Sequence, residues 1–209
     1  WCIEIKSLLF VVEKIEWTKN AHGNAVVKPK FDRRNVCFKK DAFKLMFDVS
    51  CKTLVHPYDL GHAHAAGNCF TKEDFIASFS NLNFWPMHHV LNRNYWRVLE
   101  KRIRDEAKQF KCVYVTTGAI ISKKGKVVAK YINGILVPRA FFKIAFFERY
   151  DGQYVLKCYL MSNNGTVQSM SASEVSLLLI EKLTKRYYLT PSVLAKVLPA
   201  SLKDHIEKL

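Results

Sequence analysis

The 209-residue chain lacks any hydrophobic run of membrane-spanning length: the apolar stretch Leu8 to Val12 is five residues long and runs straight into Glu13, Lys14 and Glu16. A helical span needs about 20 apolar residues, so this stretch reads as a strand and no membrane span is expected. Paired cysteines are also missing. The six cysteines, at 2, 37, 51, 69, 112 and 158, include no Cys-x-x-Cys, which argues against a zinc site and leaves free core cysteines and disulfides both open. Acidic residues are scarce, 18 Asp+Glu against 33 Lys+Arg, for a formal charge of +15. That balance favours an acidic polymer as partner. There is no repeat, low-complexity run or clear linker, and 49% hydrophobic content over this length fits one globular domain, 1–209, with a sizeable core.

What the chain does have is concentrated between His56 and Arg104. His56-Pro57-Tyr58-Asp59-Leu60-Gly61-His62 is followed by Asn83-Phe84-Trp85-Pro86 and then by Leu91-Asn92 and Trp96-Arg97-Val98-Leu99-Glu100. A short polar strand or turn carrying a histidine thus leads into a helix, predicted over 92–110, that starts with Asn92 and bears Glu100 two turns later. On a wheel of 3.6 residues per turn, Tyr95, Leu99, Ile103, Ala107 and Phe110 fall in an arc of roughly 120° that includes Asn92. Asn92, Glu100 and Arg104 can therefore line one flank, while Lys101, Asp105 and Lys108 face away. Phosphodiester hydrolysis needs such a set: a base for water, a cation against the charge on phosphorus and the leaving oxygen, and a second positive group. Histidine titrates near neutrality and suits the first task. Mg²⁺ keeps several waters, so one amide oxygen and one outer carboxylate suffice as protein ligands.

On these residues the segment resembles the DNA/RNA non-specific endonuclease family with its ββα-metal site, of the His-me finger type, and most of all its endonuclease G branch. The family's Asp-Arg-Gly-His reads here Asp59-Leu60-Gly61-His62; its Asn-x-x-Pro, Leu-Asn, Trp-x-x-Leu-Glu and following Arg read Asn83 to Pro86, Leu91-Asn92, Trp96 to Glu100 and Arg104. Weaker similarity reaches from Arg33-Arg34 to Val137-Pro138 and Phe141-Phe142-Lys143, giving a motif core of about 30–165 and a C-terminal helical extension of about 171–209. The resemblance implies that His62 is the general base, Asn92 the direct ligand of Mg²⁺ (or Mn²⁺), and Glu100 the holder of metal-bound waters. It further implies that Arg104 stabilises the phosphorane and that Asn83 and Asp59 support the site. Leu60 departs from the pattern. The family's arginine there contacts phosphate, and an isobutyl group offers neither charge nor donors. Lys124, Lys126 and His64 are the residues read as able to supply the missing charge.

The implied activity is Mg²⁺-dependent, sugar-non-specific cleavage of DNA and RNA to 5′-phosphate and 3′-hydroxyl ends, with a homodimer or higher assembly left open. By resemblance the compartment is mitochondrial or extracellular. The other reading, supported by Leu60, is a descendant of the fold without turnover that serves as a viral capsid or occlusion-body component or as a nucleic-acid-binding protein. Retention of His62, Asn92, Glu100 and Arg104 favours the enzyme.

The rest reads as scaffold in an α+β fold, a mostly antiparallel central sheet with flanking helices. Residues 19–35, with Asn20, Gly23, Pro29, Arg33 and Arg34, form a basic turn that either rims a nucleic-acid site or is an ordinary hairpin. Strands are expected from Cys112 to Ile121, Val127 to Leu136, Phe141 to Phe147 and Tyr154 to Met161, with Lys123 to Lys126 and Asp151-Gly152 as turns. Ser171 with Glu174 looks like a helix cap, and Thr190-Pro191-Ser192 opens another helix reaching Leu198, with a last short one from Pro199. His88 and His89 are candidates for phosphate contact, with polar surface the plainer reading. Tyr95 and Trp96 read as packing residues.

Overall fold

A computed structural model describes residues 10–26, 31, 56–80, 82–123, 126–127, 130–132, 135–166 and 169–197. In chain order, the first elements are β1 (Phe10–Ile15), β2 (Tyr58–His62), α1 (Lys72–Ala77), β3 (Phe84–His88), a π-helical turn (Leu91–Trp96), α2 (Arg97–Ala107) and β4 (Cys112–Ile120). Then follow β5 (Ser122–Lys123), β6 (Lys126–Val127), β7 (Lys130–Ile132), β8 (Ile135–Val137), β9 (Ala140–Glu148), β10 (Tyr154–Ser162), β11 (Glu174–Val175), α3 (Leu177–Thr184) and α4 (Pro191–Leu194). Five strands form one sheet in the order β1-β4-β9-β10-β11, and every pairing in it is antiparallel. The expected α+β class is what the chain adopts.

Strand parity decides what each face carries, because successive side chains point to opposite sides. On β9, Phe141, Ala145 and Phe147 join the cluster that packs Leu99, Ile103 and Ala107 of α2 and the buried Trp85 and Trp96. Phe142, Ile144 and Phe146 point the other way, against Leu177, Ile180 and Val197. β9 is thus buried on both faces, which explains its nearly unbroken apolar run. The same parity puts three polar residues under α2: Glu13 of β1, Thr117 of β4 and Lys143 of β9, all odd-numbered on strands whose other odd residues line that core.

A separate antiparallel pair, β2 with β3, sits beside this sheet and aligns Leu60 with Pro86, Gly61 with Trp85 and His62 with Phe84. Gly61 is required by a close approach: a Cβ there would lie 2.7 Å from the Cβ of Met87.

Several expected boundaries move. The run from Val127 to Leu136 is not one strand but parts of two short hairpins, β5–β6 and β7–β8. The helix expected from Ser171 starts at Leu177, capped by Ser176, whose hydroxyl accepts from the Leu179 amide. Glu174 and Val175 are instead drawn into pairing with Tyr159 and Cys158 at the sheet edge. The helix opened by Pro191 stops at Leu194, and the one expected from Pro199 lies outside the described residues. The first strand runs on to Ile15, past the expected end at Val12, and Leu8 and Leu9 lie outside the described residues. Cys69, Cys112 and Cys158 are free and buried; the other three cysteines lie outside the described residues. No helix among the described residues is long and apolar enough to cross a membrane.

Gly61→Ala should destabilise the protein by about 1–3 kcal/mol, as overpacking of a filled core does, read as a lower melting temperature by differential scanning calorimetry; an unchanged melting point would mean that β3 yields freely.

Candidate active site

β2, β3 and the helix that follows form a ββα unit, and a cleft of about 650 Å³ opens along it, lined by Asp59, Leu60, His62, Ala66, Gly67, Asn92, Arg93, Asn94, Arg97, Glu100 and Arg104. The strands supply Asp59 and His62, and the helix supplies Asn92, Glu100 and Arg104. His62, at the end of β2, packs edge-on against Phe79 with ring centroids 4.8 Å apart. The chain after it is tied down by Asn83, whose Oδ1 accepts from the His64 amide at 2.8 Å while its Nδ2 donates to the carbonyls of His64 and Ser78. Asn83 does not line the cleft; it fixes the backbone that leaves His62.

Asn92 stands in the π-helical turn, where the Arg97 amide bonds back to the Asn92 carbonyl. This wider turn replaces the uniform helix expected over 92–110, whose α-helical part ends at Ala107. The Asn92 Nδ2 donates to Asp59 Oδ2 at 3.1 Å, so the amide oxygen is the end left for a cation. Asp59 is itself gripped by Arg93, through Nε at 2.8 Å and a second nitrogen at 2.6 Å. Partial burial would raise its pKa, but the hydrogen bonds from Arg93 and Asn92 outweigh that and hold it below the ordinary carboxylate value.

Glu100 presents the opposite case. Its Oε1 is buried and accepts no hydrogen bond among the described residues, and burial drives its pKa up, against the pull of Lys143 and Arg104. A carboxylate in that condition is suited to a positively charged or water-bearing neighbour. Glu100 and Arg104 form no ion pair with each other. Arg104 donates instead to Asn68 Oδ1 at 2.8 Å, and it lies so close to Gly67 that a Cβ there would meet the guanidinium at 2.8 Å. No group of three or more His, Cys, Asp or Glu that could hold a metal occurs among the described residues. One amide oxygen plus one buried carboxylate suits a cation that keeps most of its water, as Mg²⁺ does, rather than zinc.

Beneath the helix lies a buried charge cluster. Lys143 is 1% exposed, donates to Thr117 Oγ1 at 2.6 Å and sits 4.8 Å from the centre of the Trp96 ring. Its burial lowers its pKa, while Glu13 and Glu100 pull it up. Glu13 in turn accepts from His64 Nδ1 at 2.7 Å and Asn68 Nδ2 at 2.8 Å. Burial works to raise its pKa, yet these partners and Lys143 leave it lowered. His64 therefore turns away from the cleft, which corrects its reading as a source of the missing phosphate charge: its ring is spent on Glu13.

His88 and His89 are outside the cleft lining as well. They stack with centroids 4.7 Å apart, and His56 lies 4.9 Å beyond His89. Arg33, Arg34 and Lys124 lie outside the described residues, and of Lys126 only the backbone, in β6, is described. Five expected residues, Asp59, His62, Asn92, Glu100 and Arg104, converge in one cleft.

The model of the family described as DNA/RNA non-specific endonuclease matches residues 7–195. The chain belongs to that family. It is 34% identical over 115 residues to mitochondrial endonuclease G of Homo sapiens, a match covering 51% of this chain and 39% of that protein, and equally identical to that of Bos taurus, where 38% of the relative is covered. The chain thus spans well under half the length of these relatives. A nuclease of Syncephalastrum racemosum is 30% identical over 171 residues, with 72% of this chain and 53% of the relative covered. In fold, the chain matches the crystal structure of the EndoG/EndoGI complex with a TM-score of 0.74 at 22% identity, over 94% of this chain and 85% of that one.

Sequence reasoning missed Arg93 and Arg97 in the cleft, and Glu13, Asn68, Thr117 and Lys143 beneath it. Arg97 had a signal, since it precedes Glu100 by three positions on the helix. Glu13 and Lys143 had only parity, which becomes electrostatic coupling once strand order is known.

Burial opposes the charge on His64, but Cys69, whose sulfur lies 3.3 Å from Nε2, and Glu13 outweigh it and raise its pKa from 6.5 to about 10. A raised pKa contributes stability that is complete below about pH 6.5 and is lost as pH climbs through 10. The melting temperature should therefore decline between these limits, and His64→Gln should flatten that decline; an equally steep decline in the variant would contradict the pairing.

Proposed function

We propose that this chain is a divalent-metal-dependent, sugar-non-specific endonuclease acting on DNA and RNA. The observation that carries the proposal is the gathering of His62, Asn92, Glu100 and Arg104 in one cleft of a ββα unit, in a chain of this family. His62 takes the proton from the water that attacks phosphorus in line. Arg104, positioned by Asn68 and Gly67, offsets charge on the phosphorane. Asn92, with its amide nitrogen tied to Asp59, and Glu100, through water, would hold a Mg²⁺ or Mn²⁺ ion, which supplies stabilisation of the leaving 3′-oxygen. The products carry 5′-phosphate and 3′-hydroxyl ends.

The substrate is held by its phosphates, so base selectivity is weak and binding falls steeply with salt. The net charge of +15 serves the same end. The reading as a descendant without turnover rests on Leu60 alone, and Asp59, His62, Asn92, Glu100 and Arg104 around the same cleft favour turnover.

Purified protein should nick plasmid and degrade RNA with Mg²⁺ or Mn²⁺, and EDTA should stop both. His62→Ala and Asn92→Ala should each lower cleavage by about 1,000-fold, with melting temperatures near that of the parent. Cleavage retained in both variants would sink the assignment.

A further inference from the structure

The cleft contains a cation that no described residue binds. Three arginines line it. Arg93 is bound through two nitrogens by Asp59, and Arg104 is held by Asn68 against Gly67. The guanidinium of Arg97 is exposed and makes no hydrogen bond or ion pair with any described residue. Of the two carboxylates of the cleft, Asp59 is taken by Arg93, and neither it nor Glu100 pairs with Arg97. One positive charge is left over on the cleft wall, in front of the very residues that carry phosphodiester chemistry.

Its placement is specific. Arg97, Glu100 and Arg104 follow at i, i+3 and i+7, so they stand along one face of α2. Leu60, where the motif has its arginine, lines the same cleft and rests against the small apolar cluster of Phe75, Phe79, Phe84 and Ile135. At position 60 the strand side of the cleft is therefore apolar, and the helix side carries the Arg97 guanidinium. A guanidinium presents parallel donors that match a phosphate bidentately, and it stays charged at any working pH.

We propose that Arg97 is the phosphate-binding residue of this cleft, supplying from the helix the charge absent at position 60. This rests on the nuclease reading for the identity of the substrate, a nucleic-acid phosphodiester, but the binding role can be judged separately. Because the contact is to phosphate, it acts on DNA and RNA alike and on all sequences.

The test compares Arg97→Ala with Arg102→Ala, which removes the same charge from an exposed position of the same helix outside the cleft. Arg97→Ala should lower kcat/KM on both DNA and RNA by about 100-fold, Arg97→Lys should be intermediate, and Arg102→Ala should stay within about twofold of the parent. Adding Leu60→Arg to Arg97→Ala should restore at least about tenfold of the loss, since it returns a guanidinium to the other wall of the cleft. Binding of a fluorescent 20-mer duplex to His62→Ala protein gives a second readout that needs no turnover: the slope of log affinity against log salt should shrink by about one when Arg97 is also replaced. If the parent protein does not cut, the function above fails while this slope still decides the role of Arg97. Equal behaviour of Arg97→Ala and Arg102→Ala in rate and in slope would overturn the proposal.

Discussion

Everything around the cleft depends on an ammonium group buried under it. Lys143 is removed from water on the face of β9 that α2 covers, and the charges of Glu13 and Glu100 favour its protonated form. An unpaired buried charge costs several kcal/mol, and removing one partner of a buried set leaves the others uncompensated. Lys143, Glu13, Glu100, His64 and Arg104 therefore hold together as a unit. Glu100 feels the charges of that unit, while its own Oε1 has no donor among the described residues. The cluster thus positions a carboxylate at the cleft and keeps it electrostatically exposed to whatever cation arrives there.

The upper half of the cleft is organised by a second set of contacts. Asp59 binds Arg93 and turns the Asn92 amide, Asn83 pins the chain that leaves His62, and Gly67 lets Arg104 settle beside Asn68. The strand pair β2–β3 and the π-helical turn bring these pieces together because Gly61 admits the close approach of Met87. The strand carries Leu60 where the family motif has arginine, while Arg93, Arg97 and Arg104 line the helix side of the cleft, so gripping phosphate falls in our proposal to the helix rather than the strand.

How much of this was legible in the sequence follows from the range of the interactions. Asp59, His62, Asn92, Glu100 and Arg104 were legible because the motif spacing is local and survives in the chain. The antiparallel strands β4, β9 and β10 were legible from apolar and β-branched runs bounded by turn residues, with Gly152 at φ +81 in the last turn. The buried partners were not. Glu13 lies 130 residues from Lys143 in sequence, and only the order β1-β4-β9 makes them neighbours. His64, a neighbour of His62 in sequence, is among the residues expected to supply the missing charge, but β2 ends at His62 and the His64 ring goes to Glu13. The helix start near Ser171 failed for a tertiary reason, since Glu174 and Val175 gain ladder hydrogen bonds at the sheet edge that a local cap does not offset.

The central claim is that Asn92 and Glu100 form a divalent-cation site, and manganese binding followed by electron paramagnetic resonance at neutral pH tests it without reference to catalysis. One Mn²⁺ per chain should bind saturably, Mg²⁺ should compete for it, and Asn92→Ala and Glu100→Gln should each weaken it by about 10- to 100-fold. Absence of saturable binding, or binding that neither substitution weakens, would contradict the account.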